Sequence, residues 1–224
     1  KGLMQGLFSG ELKVENGELV KVEDEKLWLK GWKEVRLGDI GKFISGSGFP
    51  IVEQGGEEGI PFYKVSDMNT IGNESEMTIS NNYITKEQVL KLNLKPITKK
   101  SILFAKVGAA IYLERKRLAN NFLMDNNMMA FIPNNFNYFI RYVFELVRLS
   151  KYVQVGALPS YNASDLKSIK INLPSIEEQT AIAEILQTAD KEIELLEKKL
   201  EAFKIQKKGL MQVLLTGTKR LVES

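Results

Sequence analysis

The side chains best suited to binding a polyanion form a dense cluster in the middle of the sequence. Arg115, Lys116 and Arg117 are consecutive, and Asn120 and Asn121 follow closely. Arginine and lysine bind phosphates and guanine edges, whereas asparagine binds adenine edges. Further candidates lie in segments typical of turns and could converge on the same surface: Lys64, Ser66, Lys106, Tyr161 and Asn162. This pattern favours a nucleic-acid interface; the alternative is a set of solvated loops.

The composition excludes several kinds of catalytic site. The sequence contains no cysteine and no histidine. Thiolate nucleophiles, disulfides, Cys/His zinc sites, Ser-His-Asp triads and histidine bases are therefore absent from this sequence. The carboxylates are scattered, and no pair is marked out for acid–base work. We predict no catalytic residue and no metal site.

One glycine-rich segment needs a separate interpretation. The segment Phe43-Ile-Ser-Gly-Ser-Gly48 is weakly similar to the glycine loop of amino-methyltransferases that bind S-adenosylmethionine. Neither the neighbouring acidic strand nor the Asn/Asp-Pro-Pro-aromatic motif of those enzymes is present, and no Gly-Lys-Ser/Thr follows to make a P-loop. A nuclease pattern of Pro-Asp followed by Glu-x-Lys is also missing. We interpret the segment as a flexible turn.

Charge is unevenly distributed along the 224 residues. Residues 1–26 carry a net charge of −2, residues 27–174 carry +6, and residues 175–224 carry −1. A basic central segment is a weak indication of a polyanionic partner, and an ordinary soluble surface is the alternative. No apolar run reaches the ~18 residues of a membrane span, so we predict a cytoplasmic protein without membrane contact.

A ten-residue repeat lies at the two ends of the sequence. Residues 1–10, KGLMQGLFSG, recur as residues 208–217, KGLMQVLLTG, with seven identities at an offset of 207 residues. That period is too long for a solenoid and indicates duplication of a whole module. We expect residues 1–26 to be the tail of a preceding long helix with a linker, within a longer or trimmed protein.

The C-terminal segment has the signals of one long helix over residues 175–217. Ser175 can cap its start in a capping box with Glu178, and Gly217 is a natural stop. Its seam positions alternate in spacings of four and three, with Lys207 as the only charged member, and this pattern is typical of a coiled coil. This seam contains Ile182, Leu186, Ala189, Ile193, Leu196, Leu200, Phe203, Leu210 and Leu214. The alternative is a solvated helix hairpin without a partner helix.

The charges of this helix predict how a partner would lie. Residues 175–197 carry a net charge of −6 and residues 198–220 carry +6. Two such helices in antiparallel orientation would place acidic halves beside basic halves, whereas parallel pairing would place like charges together. We therefore predict an antiparallel coiled coil with a second copy of the helix.

Residues 27–174 combine strand and helix patterns. Strands are predicted within 32–37, 60–65, 102–107 and 128–132, and Asn16-Gly17 is a hairpin signal. Helices are predicted at 85–92, capped by Thr85, and at 135–152. The predicted fold class is α+β: a mixed target-binding domain over 27–174, the long helix over 175–217 and a tail over 218–224.

Three stretches resemble the specificity subunit of type I restriction–modification enzymes. They are residues 32–40, WKEVRLGDI; residues 173–186, LPSIEEQTAIAEIL; and residues 208–217. The short segments at 59–62, GIPF, and 101–104, SILF, also fit the family pattern. The resemblance covers nearly the whole chain. It implies a family architecture of two target-recognition domains separated by two long antiparallel helices, and this chain resembles one such domain with the helix that follows it.

The resemblance further implies partners and a role. It implies binding to double-stranded DNA, methyltransferase subunits that carry S-adenosylmethionine and methylate adenine, and a translocating endonuclease subunit. The chain itself would bind no cofactor and would be non-catalytic. From the length of the helix we further predict that it acts as a ruler between two half-sites of a bipartite target, with its second copy in the same full-length chain or in a homodimer.

Two other functions remain open from the sequence. A coiled-coil adaptor with a protein-binding head would show the same helix pattern. A freestanding methyltransferase or nuclease is disfavoured by the missing motifs.

Overall fold

The α+β fold predicted from the sequence is confirmed in a computed structural model, which describes residues 2–9, 11–15, 18–21, 31–154 and 156–219. The strands are β1 (Leu12–Glu15), β2 (Glu18–Lys21), β3 (Lys33–Arg36), β4 (Gly41–Ser45), β5 (Ile60–Tyr63), β6 (Tyr83–Ile84), β7 (Ser101–Ala105), β8 (Lys116–Ala119), β9 (Leu123–Met124), β10 (Met128–Pro133), β11 (Val153–Gln154), β12 (Ser160–Tyr161) and β13 (Lys170–Leu173). The helices are α1 (Gly2–Ser9), α2 (Leu37–Ile40), α3 (Lys86–Lys91), α4 (Tyr138–Leu146), α5 (Ala163–Lys167) and α6 (Ile176–Leu215).

The chain divides into two units. Residues 24–180 form one, which we call the sheet unit, and residues 1–23 with 181–224 form the other, the helix unit. In the helix unit, the repeated segment at the start of the chain is helical, as its likeness to 208–217 predicts. Strands β1 and β2 form an antiparallel hairpin in which Glu15 opposes Glu18. Its predicted Asn16-Gly17 turn lies outside the described residues.

A four-stranded antiparallel sheet in the order β4-β10-β7-β8 is the frame of the sheet unit. Side chains alternate between its two faces. One face packs Phe43, Phe104 and Phe131 against Phe144 of α4, with the Phe131 and Phe144 rings stacked at 5.1 Å. The opposite face places Leu103 and its neighbours in an apolar cluster with the segments around β5 and β9. Both faces are therefore covered.

Helix α4 is shorter than the helix predicted over 135–152. Its N-terminus is capped by Asn137, whose side chain accepts the backbone N–H of Ile140 at 2.9 Å. The helix ends at Leu146, Val147 is extended, and a short 3-10 helix follows at Leu149–Tyr152. The periodic apolar pattern continued past 146, but tertiary contacts to the last carbonyls, described below, end the helix. By contrast, α3 forms with Thr85 as its N-cap, as predicted, and the structure adds a Gln88 side chain that completes a capping box.

Helix α6 contains 40 residues and is about 60 Å long at ~1.5 Å per residue. Ser175 caps it as predicted, since its hydroxyl accepts the N–H of Glu178 at 3.3 Å. The Glu178 carboxylate accepts a hydrogen bond from the Trp32 indole at 3.2 Å. The helix stops before Gly217, which has a φ of +72°. Within the described ranges, every helix is too short or too polar to span a bilayer.

Candidate nucleic-acid interface

One edge of the four-stranded sheet collects most of the predicted binding residues. Strands β4 and β7 end at this edge, while β8 and β10 begin there, because neighbouring strands are antiparallel. Strand β5 ends beside it, since Tyr63 opposes Met124 and the N–H of Asp125 bonds to the Tyr63 carbonyl at 2.9 Å. We call this edge the loop end; it comprises residues 45–47, 63–69, 106–115, 124–127 and 156–160.

Four of the predicted residues converge at the loop end: Lys64, Ser66, Lys106 and Arg115. Lys64 follows β5, Lys106 follows β7, and Arg115 precedes β8. Ser66 is exposed, and the other three are partly exposed. The loop containing Ser160 joins them, because the N–H of Tyr161 bonds to the Lys106 carbonyl at 3.1 Å. Sequence segments up to about 100 residues apart thus meet on one surface.

Lys116 is not at this surface, which corrects its prediction as a nucleic-acid contact. It is 4% exposed, and its register partner Phe104 faces α4. Its ammonium group donates to the carbonyls of Val147 at 2.7 Å and Glu145 at 3.3 Å. Lysine near a helix C-terminus can satisfy the final carbonyls in this way. Lys116 therefore ends α4 instead of meeting a ligand.

Arg117 is also poorly placed to bind a phosphate. It points to the other face of β8 from Lys116 and donates to the Lys116 carbonyl at 3.1 Å. Burial lowers the pKa of Arg117, with the charges of Glu145 and Glu74 acting in the opposite direction. Of the three basic residues 115–117, Arg115 is the one that lies at the loop end, where it bonds to Asn69. Among the described ion pairs of this segment, Glu114 pairs with Lys116 and not with Arg115.

Tyr161 and Asn162 have structural roles that the sequence pattern did not indicate. Tyr161 is buried, and its ring packs edge-on against Phe104 at 6.0 Å. Burial raises the pKa of the Tyr161 hydroxyl. The Asn162 side chain accepts the N–H of Ser164 at 3.0 Å and so caps α5, although it remains exposed. Tyr161 is therefore removed from the candidate contacts.

Asn120 and Asn121 are exposed but lie at the opposite end of β8 from Arg115. The four-residue strand between them extends about 13 Å at ~3.3 Å per residue. Asn121 has a φ of +50°, a left-handed conformation that asparagine tolerates better than most residues. Their closeness to Arg115 in sequence does not make them part of the loop end.

The structure adds polar and apolar side chains that sequence reasoning missed. Exposed polar groups at the loop end include Ser47, Asn69, Asn126 and Asn127. Three exposed apolar residues join them: Tyr112, Leu113 and Leu158. Asn126 and Asn127, directly before the apolar strand β10, form a sequence pattern that predicts a turn. The residues around Asn69 form no such pattern.

Asp125 is one of three acidic residues at the loop end, with Asp67 and Glu114, beside three basic residues, Lys64, Lys106 and Arg115. Burial raises its pKa, and the hydrogen bond from the Asn127 N–H at 3.0 Å and the charge of Lys64 act in the opposite direction. Among the described residues, no group of three or more acidic side chains is arranged to hold a metal ion. Of the other two acidic groups, Asp67 is buried and Glu114 pairs with Lys116, so the loop end still presents hydrogen-bond donors and the three cations to a ligand.

Gly46 lies where two backbones meet at this edge. Its N–H bonds to the Met128 carbonyl at 3.1 Å, and the Ser47 N–H bonds to the Met124 carbonyl at 3.0 Å. A Cβ at Gly46 would lie 1.8 Å from the Asp125 carbonyl oxygen. The interpretation of 43–48 as a flexible turn is wrong, because 43–45 are the end of β4 and Gly46 permits a close backbone approach.

A buried polar network holds the loop between β5 and β6. Asp67 and Asn73 are both fully buried. The Asp67 carboxylate accepts the Lys64 N–H at 2.8 Å and the Asn81 side-chain amide at 2.6 Å. The Asn73 amide donates to the carbonyls of Asp67 and Ile79 at 2.8 and 2.7 Å. Because these buried groups are satisfied, the loop has a defined shape without regular secondary structure.

The predicted coiled-coil seam separates into a buried part and an exposed part. Ile182 and Leu186 are buried within this chain, and Ala189 is partly exposed. The exposed part begins at Ile193 and continues to Leu214. Its members are 39–57% exposed: Ile193, Leu196, Leu200, Phe203, Leu210 and Leu214. Ile182 and Leu186 are therefore not accessible to a partner helix, whereas the seam residues from Ile193 onward are solvent-exposed.

Comparison with known proteins gives the family of the chain. The family model of the type I restriction modification DNA specificity domain matches residues 29–204. The chain belongs to this family. The match includes the sheet unit from residue 29 onward and most of α6. The specificity-subunit resemblance inferred from the three motifs is confirmed.

Relatives of this specificity domain are longer proteins. The type I restriction enzyme MjaVIII specificity subunit of Methanocaldococcus jannaschii is 28% identical over 99% of this chain and 53% of its own length. The Escherichia coli EcoR124I/EcoR124II specificity subunit is 29% identical over 77% of this chain and 46% of its own length. The chain spans about half the length of these relatives.

Solved structures confirm the fold of the specificity domain. A chain from a study of complex assembly and conformational transition in a type I restriction–modification system matches with a TM-score of 0.64 at 18% identity, covering 94% of this chain and 49% of that one. The HsdS subunit from Thermoanaerobacter tengcongensis matches with a TM-score of 0.55 at 17% identity, over 88% of this chain and 44% of that one.

The structure explains why two distant motifs characterise this specificity domain. Strands β3 and β13 pair along their length and bring residues 33–36 beside 170–173. The Trp32 indole then reaches Glu178 in the first turn of α6. Gln179 is buried, accepts the Asn137 amide at 2.8 Å and donates to the Pro174 carbonyl at 3.0 Å. The two motifs together close the sheet unit and fix the beginning of α6.

Proposed function

We propose that this chain is a non-catalytic DNA-reading module that recognises one half-site of a bipartite target. The observation that supports this most directly is the loop end, where Lys64, Lys106 and Arg115 meet beside exposed asparagine and serine side chains. Cations attract the phosphates, and amide and guanidinium groups can read base edges. A loop fixed by buried Asp67 and Asn73 provides a preorganised surface for such reading.

Helix α6 supports a second part of the proposal, a spacer that pairs with a sister helix. The apolar side chains of its seam are exposed from Ile193 to Leu214, and pairing with another helix would remove them from water. The repeat of residues 208–217 at residues 1–10 indicates that a second helix of similar sequence is available for this pairing. Residues 176–197 of α6 carry a net charge of −6 and residues 198–215 carry +4, which favours antiparallel pairing. A rod of about 60 Å would separate two readers by one to two turns of duplex.

The partners follow from this role. Methyltransferase subunits carrying S-adenosylmethionine would supply adenine methylation, and an endonuclease subunit would supply cleavage; this chain would bind no cofactor of its own. The sister helix would come from the same full-length chain or from a second copy. With chromosomal DNA as the ligand, the expected location is the cytoplasm.

The DNA-reading function is tested by selecting bound duplexes from a random pool, with methyltransferase subunits and competitor DNA at physiological salt. We expect enrichment of a short defined sequence. Replacing both Lys64 and Lys106 by alanine should weaken binding to all duplexes about tenfold. The slope of log K against log salt concentration, which we call the salt slope, should fall in magnitude by about 1.8, because each lost phosphate contact contributes ~0.9.

The matched control replaces Lys33 and Lys170, which are exposed on the β3–β13 ribbon away from the loop end. This variant has the same change in net charge and should keep the wild-type slope. Equal slopes in all three proteins would remove Lys64 and Lys106 from the interface. Absence of any enriched sequence would favour the protein-binding adaptor instead.

Helix pairing is tested by sedimentation of the isolated chain at micromolar concentration. We expect a dimer that dissociates when Leu196 and Leu200 are both replaced by aspartate, because the seam then carries charge. Replacing the two exposed residues Glu192 and Lys199 by alanine should leave the dimer intact. A wild-type monomer would contradict self-pairing and leave pairing within a longer chain as the remaining arrangement.

A further inference from the structure

Arg115 is set apart from the other cations of the loop end by how its side chain is held. Its guanidinium donates a hydrogen bond to the side-chain oxygen of Asn69, 46 positions away in sequence. Neighbouring Glu114 is turned away from it: this residue has a left-handed φ of +50°, and its carboxylate lies 3.2 Å from the buried ammonium group of Lys116. The positive charge of Arg115 is therefore oriented but not neutralised.

Asn69 is itself held in place by buried groups. It is the last residue of a short 3-10 helix at 65–69. Buried Asp67 closes the start of that turn by accepting the Lys64 N–H, and the Asp67 carbonyl accepts the Thr70 N–H at 3.1 Å and the Asn73 amide at 2.8 Å. The backbone on both sides of Asn69 is therefore anchored, while its side chain remains exposed.

We propose that Arg115 reads a guanine in the half-site and that Asn69 is the positioning residue that orients its guanidinium; this inference rests on the proposed DNA-reading function. A planar guanidinium presents paired donors that match guanine O6 and N7. Arginine has many rotamers, and the Asn69 contact removes part of the freedom that would otherwise be lost on binding. The same fork can also bind a phosphate bidentately, but a phosphate contact carries no base preference, and this difference is what the experiment measures.

The neighbouring cations lack this combination of features. Lys116 is buried, and Arg117 is partly exposed with its guanidinium bonded to the backbone. Lys64 is attached to the same turn, and its ammonium group donates to Gln54 and lies 6.0 Å from the centre of the Phe49 ring. A lysine ammonium is a point charge without a fork, so it discriminates bases less well. Arg115 is thus the group built for direct guanine recognition.

The test uses the full chain with methyltransferase subunits and compares wild type with Arg115→Lys, Arg115→Ala, Asn69→Ala and the control Arg36→Lys. Each protein is taken through selection from the random pool, followed by affinity measurements on the selected duplex and on versions with single base-pair changes. Arg115→Lys should lose about tenfold discrimination at one G·C pair and keep the wild-type salt slope, because the charge is retained.

Asn69→Ala should weaken discrimination at the same G·C pair about threefold while leaving affinity for non-specific DNA unchanged. This readout separates positioning from a general loss of structure, which would reduce preference at every base pair together. Arg36, an exposed residue at the end of β3, should tolerate lysine without any change in preference. Thermal unfolding of all five proteins checks that the variants are folded.

Three outcomes would overturn the guanine assignment. If Arg115→Lys keeps the complete wild-type preference, Arg115 does not read a base, while the DNA-reading function stands. If only Arg115→Ala weakens binding, equally for all sequences and with a lower salt slope, Arg115 is a phosphate contact. If the wild-type chain selects no sequence at all, the guanine assignment and the proposed function both fail.

Discussion

Replacing Lys116 by methionine is expected to lower the free energy of unfolding by about 3 kcal/mol. The ammonium group of Lys116 donates to the carbonyls of Val147 and Glu145 at the end of α4 and lies 3.2 Å from a carboxylate oxygen of Glu114. Methionine has a similar shape but no donor. The variant therefore leaves two carbonyls and a carboxylate without the partner that they share.

The environment of Glu114 determines how much stability the Lys116→Met variant should lose. Its carboxylate accepts the backbone N–H groups of Leu149 at 3.2 Å and Ser150 at 2.7 Å. Burial would raise the pKa of Glu114, but the hydrogen bonds from Ser150 and the charge of Lys116 outweigh burial and leave the pKa below its ordinary value. In the variant, the carboxylate keeps the two backbone donors but loses its cation.

The matched control is Lys170→Met in the β3–β13 ribbon. Lys170 forms an ion pair with Glu34 at 2.6 Å, with side chains 59% and 57% exposed. Exposed pairs contribute little, so this variant should lose less than about 1 kcal/mol. Chemical denaturation at neutral pH measures both variants against wild type. A loss below about 1 kcal/mol for Lys116→Met would contradict the role assigned to Lys116.

Replacing Gly46 by alanine is expected to lower the free energy of unfolding by about 2–3 kcal/mol. The added Cβ would meet the Asp125 carbonyl oxygen at 1.8 Å and the Met124 carbonyl oxygen at 2.5 Å, both rigid backbone atoms. The strand ends must separate to relieve this clash, and the hydrogen bond between the Ser47 N–H and the Met124 carbonyl would lengthen. Since these segments belong to the loop end, specific DNA binding should also fall at least tenfold.

Gly48→Ala is the control for this prediction. A Cβ at Gly48 has no atom within 4 Å, although the residue lies only two positions away in the same glycine-rich segment. We expect its stability and DNA preference to match wild type. If both alanine variants behave alike, the close approach at Gly46 is not what holds this edge of the sheet together.

Much of the local structure was predictable because it depends on residues that are near in sequence. The Thr85 cap, the Ser175 cap and the Gly217 stop follow from interactions within one helical turn, and each forms as expected. The α4 end was not predictable in this way. It depends on Lys116, about 30 residues earlier, which reaches the helix only after β8 has joined the sheet.

The candidate interface shows the same division. Arg115, Lys116 and Arg117 are equivalent in composition, yet the two-residue period of β8 directs Lys116 to the opposite face from Arg117. A prediction that strand β8 begins at Lys116 would have placed Lys116 and Arg117 on opposite faces of the sheet and left Arg115 in the preceding loop. Asn69 could not have been found from sequence, because its contact with Arg115 joins two loops that no local pattern connects.

The sequence by itself determined the absence of histidine and cysteine chemistry, the α+β class, the long helix with its seam and opposed charges, and the family motifs. Those properties reside in composition, periodicity and short-range capping. The tertiary structure decided which cations are buried, which reach the loop end, and how Trp32 and Asn137 fix the first turn of α6. The reason is that the strand order β4-β10-β7-β8 joins distant segments, and burial depends on those long-range neighbours.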